Sequence, residues 1–514
     1  MTRSFRTEHD SLGPVDVSDD ALWGAQTERS LRNFAISNEQ IPVELIHALA
    51  LIKQGCAAVN ARHGVLSQEL ADMITSAANA IATGKHDDQF PLKVWQTGSG
   101  TQTNMNVNEV ISNLISRREG TPLGSHQPVH PNDHVNRSQS TNDVFPAAIH
   151  VAATQQLTHS LLPAVQALID AFDLKAEAWF PIVKIGRTHL QDAVPLRLGD
   201  EVSAWRDQLK LCRSWIEDSL TPLAALPLGG TAVGTGLNAP KGFSTDVAKE
   251  LCSATGLSFH PADNLFAVMA GHDALVHAMG QLRGLAVALL RIANDIRLLG
   301  CGPRAGLGEL RLPANEPGSS IMPGKINPTQ CEAMAMVCTQ VIGLDAAVAA
   351  AGAGGHLQMN VFKPLIGFNL LQSIRLLSDA INSFRQNLVV GLEPNRQQIQ
   401  AFVERSLMLV TALTPRIGYE KASAIAQHAH EQGLTLKEAA LKLGHISASD
   451  FDQLVDPIKM AIPHEYRQAA RSVAGFSPPD TAARGSSSSA TGKRLIAFSA
   501  CLAWLRNCSL IASQ

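Results

Sequence analysis

Leu275, Ala278, Leu282, Leu285, Leu289, Ile292, Ile296 and Leu299 recur at spacings of three and four without a break. Alternating steps of three and four keep one face of an α-helix apolar, and at about 1.5 Å per residue the seam spans about 35 Å or more. A stripe of that length must be covered by other long helices lying nearly parallel or antiparallel to it. A single thin chain covers it poorly, so a helix bundle shared between copies of the chain is expected. Val202, Trp205, Leu209, Cys212 and Trp215 or Ile216 mark a similar face, and Leu161, Val165, Leu168 and Phe172 a third, within an apolar run from about 144 to 180.

Composition agrees with packed helices. Only two tyrosines and sixteen phenylalanines occur in 514 residues, while alanine and leucine abound; that bias disfavours sheets. With 45% hydrophobic and 17% charged residues the chain reads as soluble and globular. A net charge of −3 gives no footprint for nucleic acid, so a small anion would have to be attracted by a local site. The length suggests two or three domains. An all-α, three-domain organisation follows: a mostly helical N-terminal part over 1–140, a central long-helix bundle over 141–390, and a small helical part over 391–464. A low-complexity tail over 465–514 contains Gly485-Ser-Ser-Ser-Ser-Ala-Thr-Gly492, and nothing there suggests a packed core.

The eight cysteines form no C-x-x-C pair and no Cys/His group with zinc spacing, so reduced cytoplasmic thiols and no metal are expected. The polar N-terminus reads as neither a secretory signal nor a transit peptide. Leu495 to Ala512 is short for a membrane span and is flanked or interrupted by Arg494 and Arg506, so no membrane partner is expected.

Between Cys301 and Asn327 helical periodicity stops, and structureless segments of this length inside compact domains are usually functional or disordered. Its end, Glu316-Pro-Gly-Ser-Ser-Ile-Met-Pro-Gly-Lys-Ile-Asn-Pro-Thr-Gln-Cys-Glu332, carries prolines at 317, 323 and 328. These remove backbone donors, so something other than a ladder must hold the loop. Asn327 followed by Pro328 predicts an N-cap and first helical residue, with Gln330 reaching back to the cap. Ser319, Ser320, Lys325 and a helix N-terminus would then converge on a volume suited to an anion. A phosphate-binding P-loop is excluded: five residues separate Gly318 from Gly324, and Ile326 stands where a hydroxyl is required.

Two further polar stretches, Trp95 to Asn106 and His130 to Asp143, are too rich in Asn, Thr and Ser for ordinary core helices. Capped turns are the plain reading of both, with Asp143 or Asn142 capping the helix that follows and Ser140 and Thr141 at its mouth.

The stretch 318–328 matches GSSxMPxKxNP and resembles the mobile active-site loop of the class II fumarases, within the fumarase/aspartase superfamily. The similarity runs to about residue 460 through Leu22-Trp-Gly-Ala-Gln26, Gln96-Thr-Gly-Ser-Gly-Thr101, His130-Pro-Asn-Asp133 and Gly186-Arg-Thr-His189. The resemblance implies a metal-free and cofactor-free hydration of fumarate to (S)-malate, a step of the tricarboxylic acid cycle. It implies a homotetramer whose sites are shared between subunits around the central bundle, with 303–327 as the active-site loop.

By the same resemblance Ser319 is the base on carbon, Lys325 and Asn327 bind and polarise a carboxylate, and His189, oriented by Glu332, activates water. Ser99, Gly100, Thr101, Ser140, Thr141, Asn142, Thr188 and Ser320 complete the dicarboxylate site, and His130, Pro131, Asn132 and Asp133 match a secondary anion site. Thr141 stands where fumarases more often carry serine and is shared with aspartases, which keeps an aspartate ammonia-lyase as the alternative; a dead structural homologue is the other. His189, where aspartases carry glutamine, and the Gly324 and Thr329-Gln-Cys-Glu332 positions follow the fumarase pattern. Gln358 replaces the usual glutamate of its motif.

Overall fold

The computed structural model describes residues 4–462, so the expected tail at 465–514 lies outside the described residues. The fold is helical. An N-terminal hairpin of β1 (Phe5–Asp10) and β2 (Gly13–Ser18) precedes α1 (Ala25–Asn33), α2 (Val43–Arg62) and α3 (Gln68–Ala82). Leu45, Leu49 and Ile52, spaced to share one face of α2, are fully buried. The Ser67 side chain caps α3 by accepting from the Leu70 N–H, as a serine at that boundary should.

The segment after Trp95 departs from the capped-turn reading. It becomes α4 (Thr101–Glu119), a helix whose first turns are polar and yet buried, with Asn104, Asn106 and Asn108 all inside. The reason is that loops pack against its polar residues. Asn106 donates to the Gln89 carbonyl, Asn113 to that of Leu22, and Ser112 to that of Val129. Side-chain amides and hydroxyls here do the work a second strand would do, satisfying loop backbone that is out of reach of water.

Next come α5 (Thr141–Gln156) and α6 (Leu162–Trp179), joined through a single π turn at Leu157–Leu161 that keeps right-handed helical backbone. The apolar run to residue 180 is thus helical without a break. Ser140 caps α5, with Asp143 returning the bond in a capping box; the expected cap at Asp143 or Asn142 lies two or three residues too far along.

A hairpin of β3 (Val183–Thr188) and β4 (Gln191–Arg197) was not foreseen. It leads into α7 (Leu198–Leu223), followed by α8 (Phe243–Thr255), α9 (Leu265–Ala270) and α10 (Asp273–Leu299). All eight seam residues of α10 are buried. On α7 the seam continues through Ile216, while Trp215 is 43% exposed. The bundle is completed by α11 (Thr329–Gly352) and α12 (Lys363–Phe384). Contacts run in sequence from α6 to α7, α7 to α10, α10 to α11, α11 to α12, and back from α12 to α5.

The helices α10 and α11 are each long and apolar enough to cross a membrane by composition. Their inner faces are spent on each other and on the bundle. The outward side of α11 differs from a solvated surface: beyond Glu332, exposed Ala333, Met336, Thr339, Gln340, Gly343 and Ala346 present no charge. Beyond residue 395 the chain forms short helices, including Arg396–Arg405, Tyr419–Gln432, Leu436–Lys442 and Ala448–Leu454. They gather Val403, Leu413, Ile425, Ala439 and Phe451 into a separate small core, which Ile185 of β3 joins.

Candidate active site

Two helix N-termini form the first part of the site. Gly100 caps α4 in a left-handed conformation (φ 79°), and a side chain at Gly100 would overlap the Phe145 ring of α5. One at Gly98 would overlap the Val361 carbonyl just before α12. Glycine at both positions lets this turn lie against α5 and the start of α12 at once. Ser99 and Thr101 share a hydroxyl hydrogen bond of 2.7 Å. Asn104 Nδ2 donates to Thr141 Oγ1 at 3.0 Å, tying the first turn of α4 to that of α5. Asn142 donates from Nδ2 to the Ala232 carbonyl at 2.9 Å, and the second hydrogen of that NH2 group is left for another acceptor. The structure therefore brings Ser99, Gly100, Thr101, Ser140, Thr141 and Asn142 into one surface of hydroxyls and amides at paired helix N-termini, an arrangement suited to carboxylate oxygens.

Beneath this surface lies Asp143, wholly buried, which accepts the N–H groups of Ser140 (3.0 Å), Gly229 (2.9 Å) and Thr231 (2.9 Å). Burial pushes its carboxyl up to about 6, against the pull of those bonds and of Lys53. Lys53 of α2 is also fully buried and donates to Asn136 Oδ1 and Gln139 Oε1. Burial brings its ammonium down to about 7, partly opposed by Cys56 and Asp143. Asn136 Oδ1 also accepts from Asn104, so a continuous polar chain runs from α2 to the mouth of α5.

His189 lies elsewhere. Together with Leu190 it forms the two-residue connection of the β3–β4 hairpin, with φ 55° and 62°. Two positive φ values are the mark of a type I′ turn, which matches strand twist but normally takes Asn-Gly. A histidine and a leucine there cost about 1–3 kcal/mol each, a strain that neighbouring structure must hold. Thr188 and His189 are exposed at the tip. Strand β3 is held near both its ends by Glu309, wholly buried, which pairs with Lys184 (3.0 Å) and Arg187 (2.8 Å). Glu309 stands at the entry to the loop that carries Ser319, so the hairpin and the loop share one anchor.

In the loop the Gly318 N–H donates to the Lys325 carbonyl and the Lys325 N–H to that of Met322, closing a tight turn. Ser319 Oγ accepts the N–H groups of Ile321 (3.3 Å) and Met322 (3.1 Å). Both N–H donors to the serine oxygen thus come from the residues that follow it in the turn. Asn327 does not cap the next helix: α11 starts at Thr329, and the Asn327 amide donates to the Gly318 carbonyl, pinning the loop closed at its base. Gln330 accepts from Ser383 of α12 and does not reach back. Ser320 and Lys325 are exposed, and Glu332 is exposed in the first turn of α11. A cavity of about 510 Å³ is lined by residues of the loop, including Ser319 and Lys325.

Among the described residues, no hydrogen bond or ion pair joins His189 to Glu332, or either of them to Ser319 or Thr101. One chain holds the parts as separate groups.

His130 caps a π turn at Pro131–Val135; its Nδ1 accepts the N–H groups of Asn132 and Asp133, both at 3.1 Å, which leaves Nε2 as the donor. It borders a cavity of about 230 Å³ that Glu8, Asp10 and Glu109 also line. Carboxylates in that wall weigh against a simple anion pocket. Glu109 is held by Gly24, Gln26 and Thr27, and burial pushes its carboxyl up to about 7.

Sequence reasoning missed Asn104, Lys53, Glu309 and Lys363. For Lys363 a signal existed: Phe362-Lys-Pro364 puts a charge at the apolar start of a helix.

A lyase family model matches residues 13–343, and one for the fumarase C C-terminus matches 409–461. A class II fumarate hydratase of Parasynechococcus marenigrum is 70% identical over 464 residues, 90% of this chain and 100% of the relative. One from Prochlorococcus marinus (strain MIT 9313) is 66% identical, over 90% and 99%. The crystal structure of a class II fumarase from Schistosoma mansoni superposes with a TM-score of 0.88 at 44% identity, covering 90% of this chain and all of that one. With relatives of that likeness spanning nearly all the described residues, the chain belongs to the class II fumarate hydratases of the lyase family.

Proposed function

We propose that the chain catalyses the reversible hydration of fumarate to (S)-malate without a metal or organic cofactor. The observation that carries this reading is the paired N-termini of α4 and α5, where Thr101, Ser140, Thr141 and Asn142 present neutral donors to a small dicarboxylate. Such donors favour the dianion and, more strongly, the extra charge that builds on a carboxylate when the neighbouring carbon carries a negative charge.

In the dehydration of malate Ser319 removes the C3 proton. An alkoxide is a demanding base, and two N–H groups aimed at Oγ support it, as does Lys325 on the same loop. Lys325 and Asn327 hold the carboxylate that takes up the charge. The C2 hydroxyl then leaves as water, protonated by His189 with Glu332 as its orienting acid. Hydration runs the same steps in reverse: His189 draws a proton from water as its oxygen bonds to C2, and Ser319 returns a proton to C3. Thr188, Ser99, Gly100 and Ser320 complete the binding set. His130, Pro131, Asn132 and Asp133 are retained as a secondary anion site through the His130 Nε2 donor.

We further propose a homotetramer with sites built from more than one subunit. It is supported by the separation of the Thr101, His189 and Ser319 groups within the chain and by the uncharged outer face of α11. Second copies of the bundle, not lipid, would cover that face. The three-part division at about 140 and 390 frames the same assembly, with the small core beyond 395 carrying the hairpin that bears His189. A cytoplasmic location goes with it, supported by cysteines that are free among the described residues. Turnover of L-malate, followed by absorbance of the fumarate double bond, tests the function; turnover of L-aspartate without malate would overturn it.

A further inference from the structure

Lys363, the first residue of α12, is wholly buried, and its Nζ has no hydrogen-bond partner among the described residues. Its own N–H donates to the Gly98 carbonyl at 3.1 Å, so the start of α12 is fastened to the turn that presents Ser99 and Thr101. A buried ammonium without a partner is costly and calls for a compensating anion.

The groups around it do not supply one. Asp143 is in electrostatic reach, but its oxygens are taken by Ser140, Gly229 and Thr231. Across that carboxylate stands a second buried ammonium, Lys53, which has its own partners in Asn136 and Gln139. His272, at the N-terminus of α10, is 2% exposed with both ring nitrogens unbonded, and burial, with Lys363 and His150 adding to it, brings it down to about 3. His150 of α5 bonds the Leu223 carbonyl through Nδ1 and is brought down to about 4 by burial. The interior behind the α4 and α5 N-termini thus gathers two buried lysines and one buried carboxylate, while burial disfavours the charged form of both histidines.

We propose that Lys363 is a positioning residue of the dicarboxylate site, its unpartnered buried ammonium supplying the fixed positive charge that makes the surface of Ser99–Thr101 and Ser140–Asn142 prefer a dianion to a monoanion. The inference rests on the reading of that surface as the dicarboxylate site. Burial draws Lys363 down to about 8, so a bound dianion also keeps it protonated.

The test is calorimetric binding of succinate, an unreactive dianion, and of its monomethyl ester to the full-length protein and to Lys363→Met and Lys363→Gln. Succinate should weaken by about tenfold or more in both variants while the ester changes by less than about twofold. KM for malate should rise more than kcat falls. In the unaltered protein, succinate affinity should drop as pH rises from 7 to 9.5 and ester affinity should not. Equal weakening of both ligands, or unaltered succinate binding, overturns the inference. Should neither variant fold, the pH series decides alone, and parallel curves overturn it. A failure of the unaltered protein to bind succinate or turn over malate would instead overturn the reading of the site.

Discussion

Asn104 Nδ2 donates to Thr141 Oγ1 across 3.0 Å, and this bond joins the first turn of α4 to the first turn of α5. Neither residue needs to touch the reacting carbon for the bond to matter, because it fixes the spacing of two donor sets that must grip one small molecule. Asn104→Ala should lower kcat/KM by about tenfold to 10²-fold, as a misplacement of about 1 Å does. Steady-state malate kinetics check it, with circular dichroism to show that the helices persist. Unaltered kinetics would mean that α5 sets Thr141 without help.

The shared anchor at Glu309 makes a second expectation. Removing its charge leaves Arg187 facing a neutral group and Lys184 with Glu201 alone, in a region with little access to water. Breaking one side of a buried ion pair costs about 3–5 kcal/mol. Glu309→Gln should therefore lower the unfolding midpoint and also reduce turnover, because both the hairpin that bears His189 and the base of the loop lose their tether. Thermal melts and malate kinetics on one sample measure both. A destabilised variant with full activity would show that the anchor serves stability alone.

The long helices were legible because eight seam residues repeat over 25 positions and nothing but a helix places them on one face. The starts of helices Gln68–Ala82 and Ala448–Leu454 are marked locally, by serine caps at Ser67 and Ser447. The polar start of α4 was misread because local rules favour turns for Asn and Thr; its burial depends on loops at 22, 89 and 129 that no local window contains. The turn at His189-Leu190 was invisible for the opposite reason. Its residues carry no turn preference, so the hairpin is set by the pairing of β3 with β4 and by the Glu309 anchor. The Ser319 loop was legible as a loop, but the N–H groups that bond Oγ were not, since turn geometry decides which of them point inward.

Glu109 gives the stability a pH dependence of defined sign. Burial raises its carboxyl from 4.5 to about 7, so between those values the folded state holds a proton that the unfolded state has lost. Its contribution is complete below about 4.5 and is lost as pH rises through about 7, by roughly 3 kcal/mol. Asp143, raised to about 6, adds a slope of the same sign at lower pH. Melting at constant protein concentration from pH 5 to 8 should show the decline, and Glu109→Gln should flatten its upper part. A variant with the full slope above pH 6 would show that another group carries it.

Ser319→Ala should lower turnover by about 10²-fold or more, with a smaller effect on KM because the dianion is held mainly by other residues. His189→Asn is the matching probe of the other half-reaction, and asparagine is chosen because it tolerates the positive φ of the hairpin tip. It should block loss of water yet leave exchange of the malate C3 proton with solvent deuterium. If the Ser319 variant exchanged that proton at the unaltered rate, the base would be another residue.

The last expectation concerns where one site ends and the next subunit begins. Within a chain, Thr101 sits at the N-terminus of α4 and His189 at the hairpin tip, and no bond among the described residues links them. If Thr101 of one subunit works with His189 of another, then Thr101→Ala and His189→Asn homotetramers, each nearly inactive, should complement. When the two chains are denatured together and refolded at equal amounts, a site is unaltered only where its Thr101 comes from the histidine variant and its His189 from the threonine variant. Random assortment makes that about a quarter of all sites, so about a quarter of full activity should return. Mixing without refolding should return none, and light scattering should report the same tetramer before and after. Should refolded mixtures stay at the mean of the parents, both residues would come from one chain, and the uncharged face of α11 would join subunits without joining their sites.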